Sequence, residues 1–426
     1  MVKASRKKLH VLFVTNLFPI SGGRRPEMLV KYFSMFDVNP IVLTSDYFED
    51  VALEVLQRDI PQEIFIKRTF ALKRDPCKIF SKWFGLPELT DWVRRFFFFP
   101  DFWVNWVPGA ILSGLKILKK HDIDVILSTS PPESTHLIGY FLHAISGLPW
   151  IADFQDMWTQ KKINFHPATI FHQKLAEWLE KKILSKSRVI IANTDHNAKI
   201  YKENFKLPAN KVEVIQCGFD PGDLPATPLE PETKANTLVF GYLGYFDKPG
   251  FPYREILNIF YQLRREGIPV ELEIIGYISD KAISEIEQLG YADFVRFHSE
   301  MPNYKAIPFL QKRSDILLAM LYETSYSQAI VPLKIYSYMK MNRKVMAIAP
   351  EEGEVAEILR KTRIGQTISI HKPEKIKQFI RTAYSEKQKM GRVIVEPDIS
   401  AVESYNVIHL TERLSKSLWK VAHGIE

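Results

Sequence analysis

The sequence predicts an α/β protein built as two units, each a parallel sheet covered by helices. Short apolar runs alternate with amphipathic stretches along most of the chain, the pattern of strands and helices in a parallel sheet. That alternation is interrupted by a proline-rich segment at residues 219–236, the best candidate for an interdomain linker. The chain is 426 residues long, whereas one hydrophobic core stops growing at about 250–300 residues.

Taken in order, the first unit opens with the β-rich run Leu9–Thr15, a glycine loop at Ser21-Gly22-Gly23 and a helical pattern over Pro26–Phe36. Strands are then expected at Pro40–Thr44, Val125–Ser130, Trp150–Phe154, Arg188–Asn193 and Lys211–Gln216. Helical stretches at Gly109–Lys120, Ser134–Ser146, Phe171–Ser187 and His196–Phe205 separate the later ones. A second alternation supplies strands at Thr237–Leu243, Val270–Ile275, Phe294–His298, Asp315–Met320, Lys344–Ala349 and Gly365–Ile368. A last helical stretch, Tyr405–Val421, follows once that sheet is complete and could pack back on the first unit. The expected domains are therefore residues 1–222 and 223–404, with a terminal helix over about 405–426.

Composition narrows the function. Hydrophobic residues make up 46% and charged residues 25%, ordinary for a globular chain with two cores. Cys77 and Cys217 fit no metal-ligand spacing and cannot form a disulfide scaffold, which reads as two reduced thiols. No apolar run reaches the ~20 residues of a membrane span. The apolar run after the basic start reads as a buried strand rather than a signal peptide, so a cytoplasmic protein is expected. A net charge of +8 suits nucleic acid, anionic lipid or a phosphorylated small molecule. Without a helix-turn-helix, zinc-finger or RNA-binding signature, nucleic acid is the weakest of the three.

Ligands of open parallel sheets bind beyond the carboxyl ends of the strands, so the loops there hold the candidates. Gly22 and Gly23, followed by Arg24 and Arg25, fit a phosphate or sugar, although an ordinary glycine turn would look the same. Asp153, Gln155 and Asp156 end a strand, where carboxylates can orient hydroxyls or take protons. His136 opens a helix, a place where a lone histidine is more often a cap or core residue than a ligand. In the second unit, Gly244 ends a strand with the cations Lys248 and Arg254 close behind, a pattern suited to a diphosphate. Pro332 marks a helix start, so the amides of Ala329, Ile330 and Val331, with Lys334, form an expected anion site. The segment Lys82–Trp106 interleaves aromatic and basic residues, which reads either as core packing or as a face that docks on a membrane.

In their order, LFVTNLFPISGG, PDFWVNWVP, STSPPESTHLIG, LPWIADFQDMW, VIIANT, VIQCGFDP, GYLG and IVPLKIYSYMKMNRKVMAIAP resemble the GT-B glycosyltransferases, specifically the retaining family 4 group. The resemblance spans nearly the whole chain. It implies two facing Rossmann-like domains with a deep interdomain cleft, the acceptor on the N-terminal domain and a nucleotide-sugar donor on the C-terminal one. It implies no cofactor and no metal, a UDP- or GDP-sugar as donor, and a glycan or lipid-linked acceptor in surface polysaccharide synthesis. It also implies peripheral contact with an anionic membrane at the inner face. Carried over, Gly22, Gly23, Gly244, Lys248, Arg254, Ala329, Ile330, Val331, Lys334 and Ser337 would bind the donor. Arg24, His136 and Asp153 would face the acceptor, and Asp156, Gln155 and Lys248 would serve catalysis.

Two departures stand out. The family commonly carries two glutamates eight residues apart; here those places hold Ala329 and Ser337, with Glu323 nearby but out of register. Where many members have a histidine, this chain has Gln155. A sugar-nucleotide epimerase of the same fold, or a degenerate nucleotide-sugar or glycan-binding protein, are the alternatives.

Overall fold

The computed structural model describes residues 8–16, 18–19, 24–46, 60–72, 87–160, 166–225, 227, 229–324 and 326–425. The chain divides into two compact units, Met1–Cys217 with Ile408–Glu426, and Gly218–Val407.

The first unit is a seven-stranded parallel sheet. Its strands are β1 (Leu9–Val14), β2 (Val38–Ser45), β3 (Ile66–Thr69), β4 (Val125–Ser130), β5 (Trp150–Phe154), β6 (Val189–Ala192) and β7 (Val212–Val214), in the spatial order β3-β2-β1-β4-β5-β6-β7. Its helices are α1 (Arg25–Phe33), α2 (Pro87–Phe97), α3 (Val107–Lys120), α4 (Ser134–Ser146), α5 (Ile170–Lys186) and α6 (Asp195–Phe205). The central strands β4 and β5 are buried along their whole length because helices cover both faces of such a sheet. Thr169 and Thr194 start α5 and α6 by accepting from the amides of His172 and Asn197, each satisfying one orphan donor of the first turn. Pro40 is tolerated inside β2 because β3 pairs only with Val42–Ser45, so the edge beside Pro40 needs no ladder bond there. The terminal helix α14 (Val407–Ala422) adds Leu410, Leu414, Leu418 and Val421, one helical stripe, to the core formed by β1, β2, β4 and α1.

The second unit is a six-stranded parallel sheet of β8 (Leu238–Leu243), β9 (Val270–Ile275), β10 (Val295–His298), β11 (Ile316–Met320), β12 (Lys344–Ile348) and β13 (Gly365–Ile368), in the order β10-β9-β8-β11-β12-β13. Its helices are α7 (Tyr253–Arg265), α8 (Asp280–Gln288), α9 (Asn303–Arg313), α10 (Leu333–Tyr338), α11 (Glu354–Thr362), α12 (Pro373–Met390) and α13 (Ile399–Glu403). Both sheets have the doubly wound order in which strand succession reverses once, between β1 and β4 and between β8 and β11.

The proline-rich segment is not a free tether along its whole length. Glu232 donates its amide to Lys312, Arg343 donates to the Leu229 carbonyl, and Thr233 bonds both Asp315 and Lys387. Beyond the single turn Pro221–Asp223, prolines keep this stretch out of helix and sheet, and two buried cations of the second unit hold it, Arg343 at the Leu229 carbonyl and Lys387 at the Thr233 hydroxyl. The aromatic segment divides. Trp106 is buried and donates to Thr69, whereas Leu89, Trp92, Phe96 and Phe97 are exposed.

Candidate functional site

In the first unit, the carboxyl ends of β4 and β5 converge on a buried ion pair. Arg25, the first residue of α1, donates its Nε and one terminal nitrogen to the two oxygens of Asp153 at 3.0 and 3.1 Å, and its other terminal nitrogen to the Gln216 carbonyl at 2.7 Å. Thr129 adds a third hydrogen bond to Asp153 at 2.9 Å. The carboxylate raises the Arg25 pKa against the opposing effect of burial, so the guanidinium stays charged. Burial pushes the adjacent Cys217 thiol up, which keeps it protonated.

This arrangement corrects two expectations. Asp153 is fully buried and saturated by Arg25 and Thr129, so it braces the loops rather than facing an acceptor. His136 is also fully buried, with its ring nitrogens 2.8 and 2.9 Å from the hydroxyls of Ser128 and Ser130. Burial lowers its pKa to about 3, so it is a neutral linker between α4 and β4. Gln155, half-buried, donates to Thr129 at 3.1 Å, and Asp156 is half-buried beside it. Arg24 is half-buried, 3.8 Å from Glu27. Gly22 and Gly23 lie outside the described residues. Sequence reasoning missed Asp101, which accepts from Trp103 and from both the amide and the hydroxyl of Ser134, tying the aromatic segment to the start of α4.

In the second unit, the reversal between β8 and β11 places Gly244 next to α10. Lys334, in the first turn of α10, puts its ammonium 3.5 Å from the centroid of the Tyr242 ring. A Cβ on Gly244 would lie 3.8 Å from that nitrogen, an ordinary contact, and it is the positive φ of 101° that calls for glycine here. Tyr338 ties the two strands together: its hydroxyl accepts from the Leu243 amide at 3.0 Å and donates to the Leu318 carbonyl at 3.1 Å. Burial, and then the charge of Lys248, hold the Lys334 pKa well below the usual lysine range. Among the described residues no carboxylate pairs with Lys334. Lys334 is thus a half-buried cation over an aromatic face, with the charge of Lys248 near enough to act on it.

Other expected donor contacts are redirected. Arg254 pairs with Glu285 through two nitrogens, one at 2.7 Å, so its fork is already occupied. The Ala329 and Ile330 amides donate to Tyr326 and Ser327 in a tight turn at 3.0 and 3.2 Å, which leaves neither for an anion. The Gly244 amide likewise donates to Ile275 at 2.7 Å, so this glycine offers no donor. Val331 is buried at the approach to α10, and Ser337 sits half-buried one turn from Lys334. Glu323 accepts from the Ser369 hydroxyl and the Ile370 amide, both at 3.0 Å, and so anchors the loop after β13.

Solved structures share this architecture over the whole chain. A glycosyltransferase from Rickettsia africae ESF-5 is 14% identical with a TM-score of 0.64, covering 99% of this chain and 100% of its own. The apo form of the lipopolysaccharide outer core galactosyltransferase WaaB is 12% identical with a TM-score of 0.61, covering 97% and 99%. A UDP-N-acetylglucosamine 2-epimerase is 12% identical with a TM-score of 0.53, covering 99% and 98%. No curated protein matches the chain in sequence. The fold is that of the GT-B class. Residues 50–223 match the family model Glycosyltransferase Family 4.

Proposed function

We propose that the chain transfers a sugar from a nucleotide-sugar donor, UDP- or GDP-linked, to a glycan or lipid-linked acceptor in surface polysaccharide synthesis. The observation that carries this reading is Lys334, a half-buried ammonium with no carboxylate partner among the described residues, held at the strand reversal of the second unit beside Gly244. A diphosphate placed there restores the charge that burial disfavours. As the glycosidic bond breaks, negative charge grows on the departing phosphate, and a preorganised cation stabilises that change most. Lys248 supplies a second positive charge, so the leaving group is neutralised without a metal. Retention follows if the acceptor hydroxyl gives its proton to the departing phosphate. In the first unit, Gly22 and Gly23 then serve the donor, Arg24 faces the acceptor, and Gln155 and Asp156 serve catalysis. Ser337 borders the donor.

The exposed side chains of Trp92, Phe97, Phe171 and Trp178, interleaved with Arg94, Arg95, Lys174 and Lys182, support work at an anionic membrane face. Among the described residues, no helix is long and apolar enough to cross a membrane.

The test is turnover of labelled UDP- and GDP-sugars with and without glycan or lipid-linked acceptors. Sugar transfer that requires an acceptor supports the proposal. A changed nucleotide sugar formed without acceptor would select the epimerase reading, which the shared fold of the 2-epimerase favours. Binding without turnover on any acceptor would select a degenerate binder.

A further inference from the structure

Two exposed tyrosines stand beside the Lys334 site. Tyr245 follows Gly244 directly, and Tyr277 follows Gly276 at the end of β9. Their rings meet edge to face at 4.8 Å, yet Tyr245 is 41% and Tyr277 54% exposed. The loops that carry them are fastened to each other. Gly244 donates to Ile275 at 2.7 Å, Phe246 donates to Tyr277 at 3.0 Å, and Asp247 accepts from both the amide and the hydroxyl of Ser279. Gly276, at φ 136°, packs so closely that a Cβ there would stand 2.5 Å from the Gly244 carbonyl. Tyr242 and Phe246, on the same stretch, are fully buried and anchor it in the core, and the Tyr242 hydroxyl donates to the Tyr245 carbonyl at 2.8 Å.

We propose that Tyr245 and Tyr277 form the stacking platform for the donor's nucleobase, an inference that rests on the donor reading of the Lys334 site. One open tyrosine face, with the second ring standing at 88° to it as a side wall, favours a planar ring, because little side-chain freedom is lost when the ring lands. The Asp247 carboxylate beside them is already taken by Ser279. The adjacency fits one molecule: phosphates at Lys334 and Lys248, base on the tyrosines. Stacking reads the face of a base rather than its edge, so this platform accepts more than one base.

The experiment is calorimetric titration of the full chain with inorganic pyrophosphate and with UDP, GDP and ADP, comparing native protein with Tyr245→Ala, Tyr277→Ala, the double variant carrying both alanines, Tyr277→Phe and Lys334→Met. One stacked base is worth about 5- to 150-fold in affinity. The expected result is that a nucleoside diphosphate binds at least about tenfold more tightly than pyrophosphate in the native protein. That ratio should collapse toward one in the double alanine variant and persist in Tyr277→Phe. An unchanged ratio in the alanine variants, with pyrophosphate still bound, would overturn the platform while leaving the anion site intact. Absence of pyrophosphate binding, or binding indifferent to Lys334→Met, would overturn the donor reading and the platform with it. Melting temperatures without ligand separate loss of binding from loss of fold, and both tyrosines are exposed enough for their variants to fold.

Discussion

Replacing Arg25 with Met leaves Asp153 as a buried anion without its countercharge. Both side chains are nearly inaccessible, at 3% and 1% exposure. The substitution removes two charge-assisted bonds to Asp153 and one to the Gln216 carbonyl, and only Thr129 remains to serve the carboxylate. Breaking one partner of such a pair typically costs about 3–5 kcal/mol, because the remaining charge has lost water without gaining a substitute. Asp153→Asn alone should also destabilise, by leaving the guanidinium unpaired. The double variant should lose less than the sum, with a coupling of about 2–3 kcal/mol. Urea unfolding followed by tryptophan fluorescence isolates the effect. All eight tryptophans (Trp83, Trp92, Trp103, Trp106, Trp150, Trp158, Trp178 and Trp419) lie in the first unit, so the signal reports that unit alone. A loss below about 1 kcal/mol for Arg25→Met, the size expected of a surface pair, would refute the argument that this pair braces the loops.

Three further outcomes follow from the same physics. Glu180 is fully buried, its pKa pushed up to about 7 by desolvation, with Thr159 as its bonded neighbour. The folded state therefore holds a proton that the unfolded chain releases near 4.5, and stability falls as pH rises through the window from 4.5 to about 7. Glu180→Gln should be more stable than native by about 3 kcal/mol at pH 8 and by little at pH 4, and equal denaturation midpoints at pH 8 would exclude this. Because Lys334 has a lowered pKa that a bound phosphate would raise, nucleoside diphosphate binding should take up protons and weaken as pH rises from that lowered value toward 10.5. Titration in buffers of different ionisation enthalpy measures the uptake, and none between neutral and alkaline pH would count against the site. Gly276→Ala should destabilise the second unit by at least about 2 kcal/mol, from the backbone clash with Gly244 and the positive φ together. Faster hydrogen exchange across residues 238–250 would register this, and native exchange would contradict it.

Much of the architecture is legible in the sequence because buried parallel strands announce themselves as apolar runs; Val125–Ser130, Trp150–Phe154 and Val270–Ile275 coincide with the observed strands. β3 escapes notice because Ile66–Thr69 is an edge strand of four residues, two of them basic. The site is less legible because its partners are distant in sequence. Nothing local distinguishes Arg25, which enters the core, from Arg24, which does not; the choice depends on Asp153, 128 residues away. Arg254 reads as a phosphate ligand until Glu285 appears opposite it. The amides before α10 read as free until the turn Ser327–Ala329 uses two of them. Lys334 was legible as a cation at a helix start, but its seat on Tyr242 required the fold.

The central claim is that the second unit holds a nucleoside diphosphate at Lys334. It is tested most directly by the calorimetric melting temperature of native protein and Lys334→Met with UDP, GDP, ADP and CMP, without added metal. A ligand at about 100 times its dissociation constant adds about 2.7 kcal/mol. The account predicts a clear upward shift with one nucleoside diphosphate in the native protein and its loss in the variant. No shift with any nucleotide, or an equal shift in the variant, would contradict it.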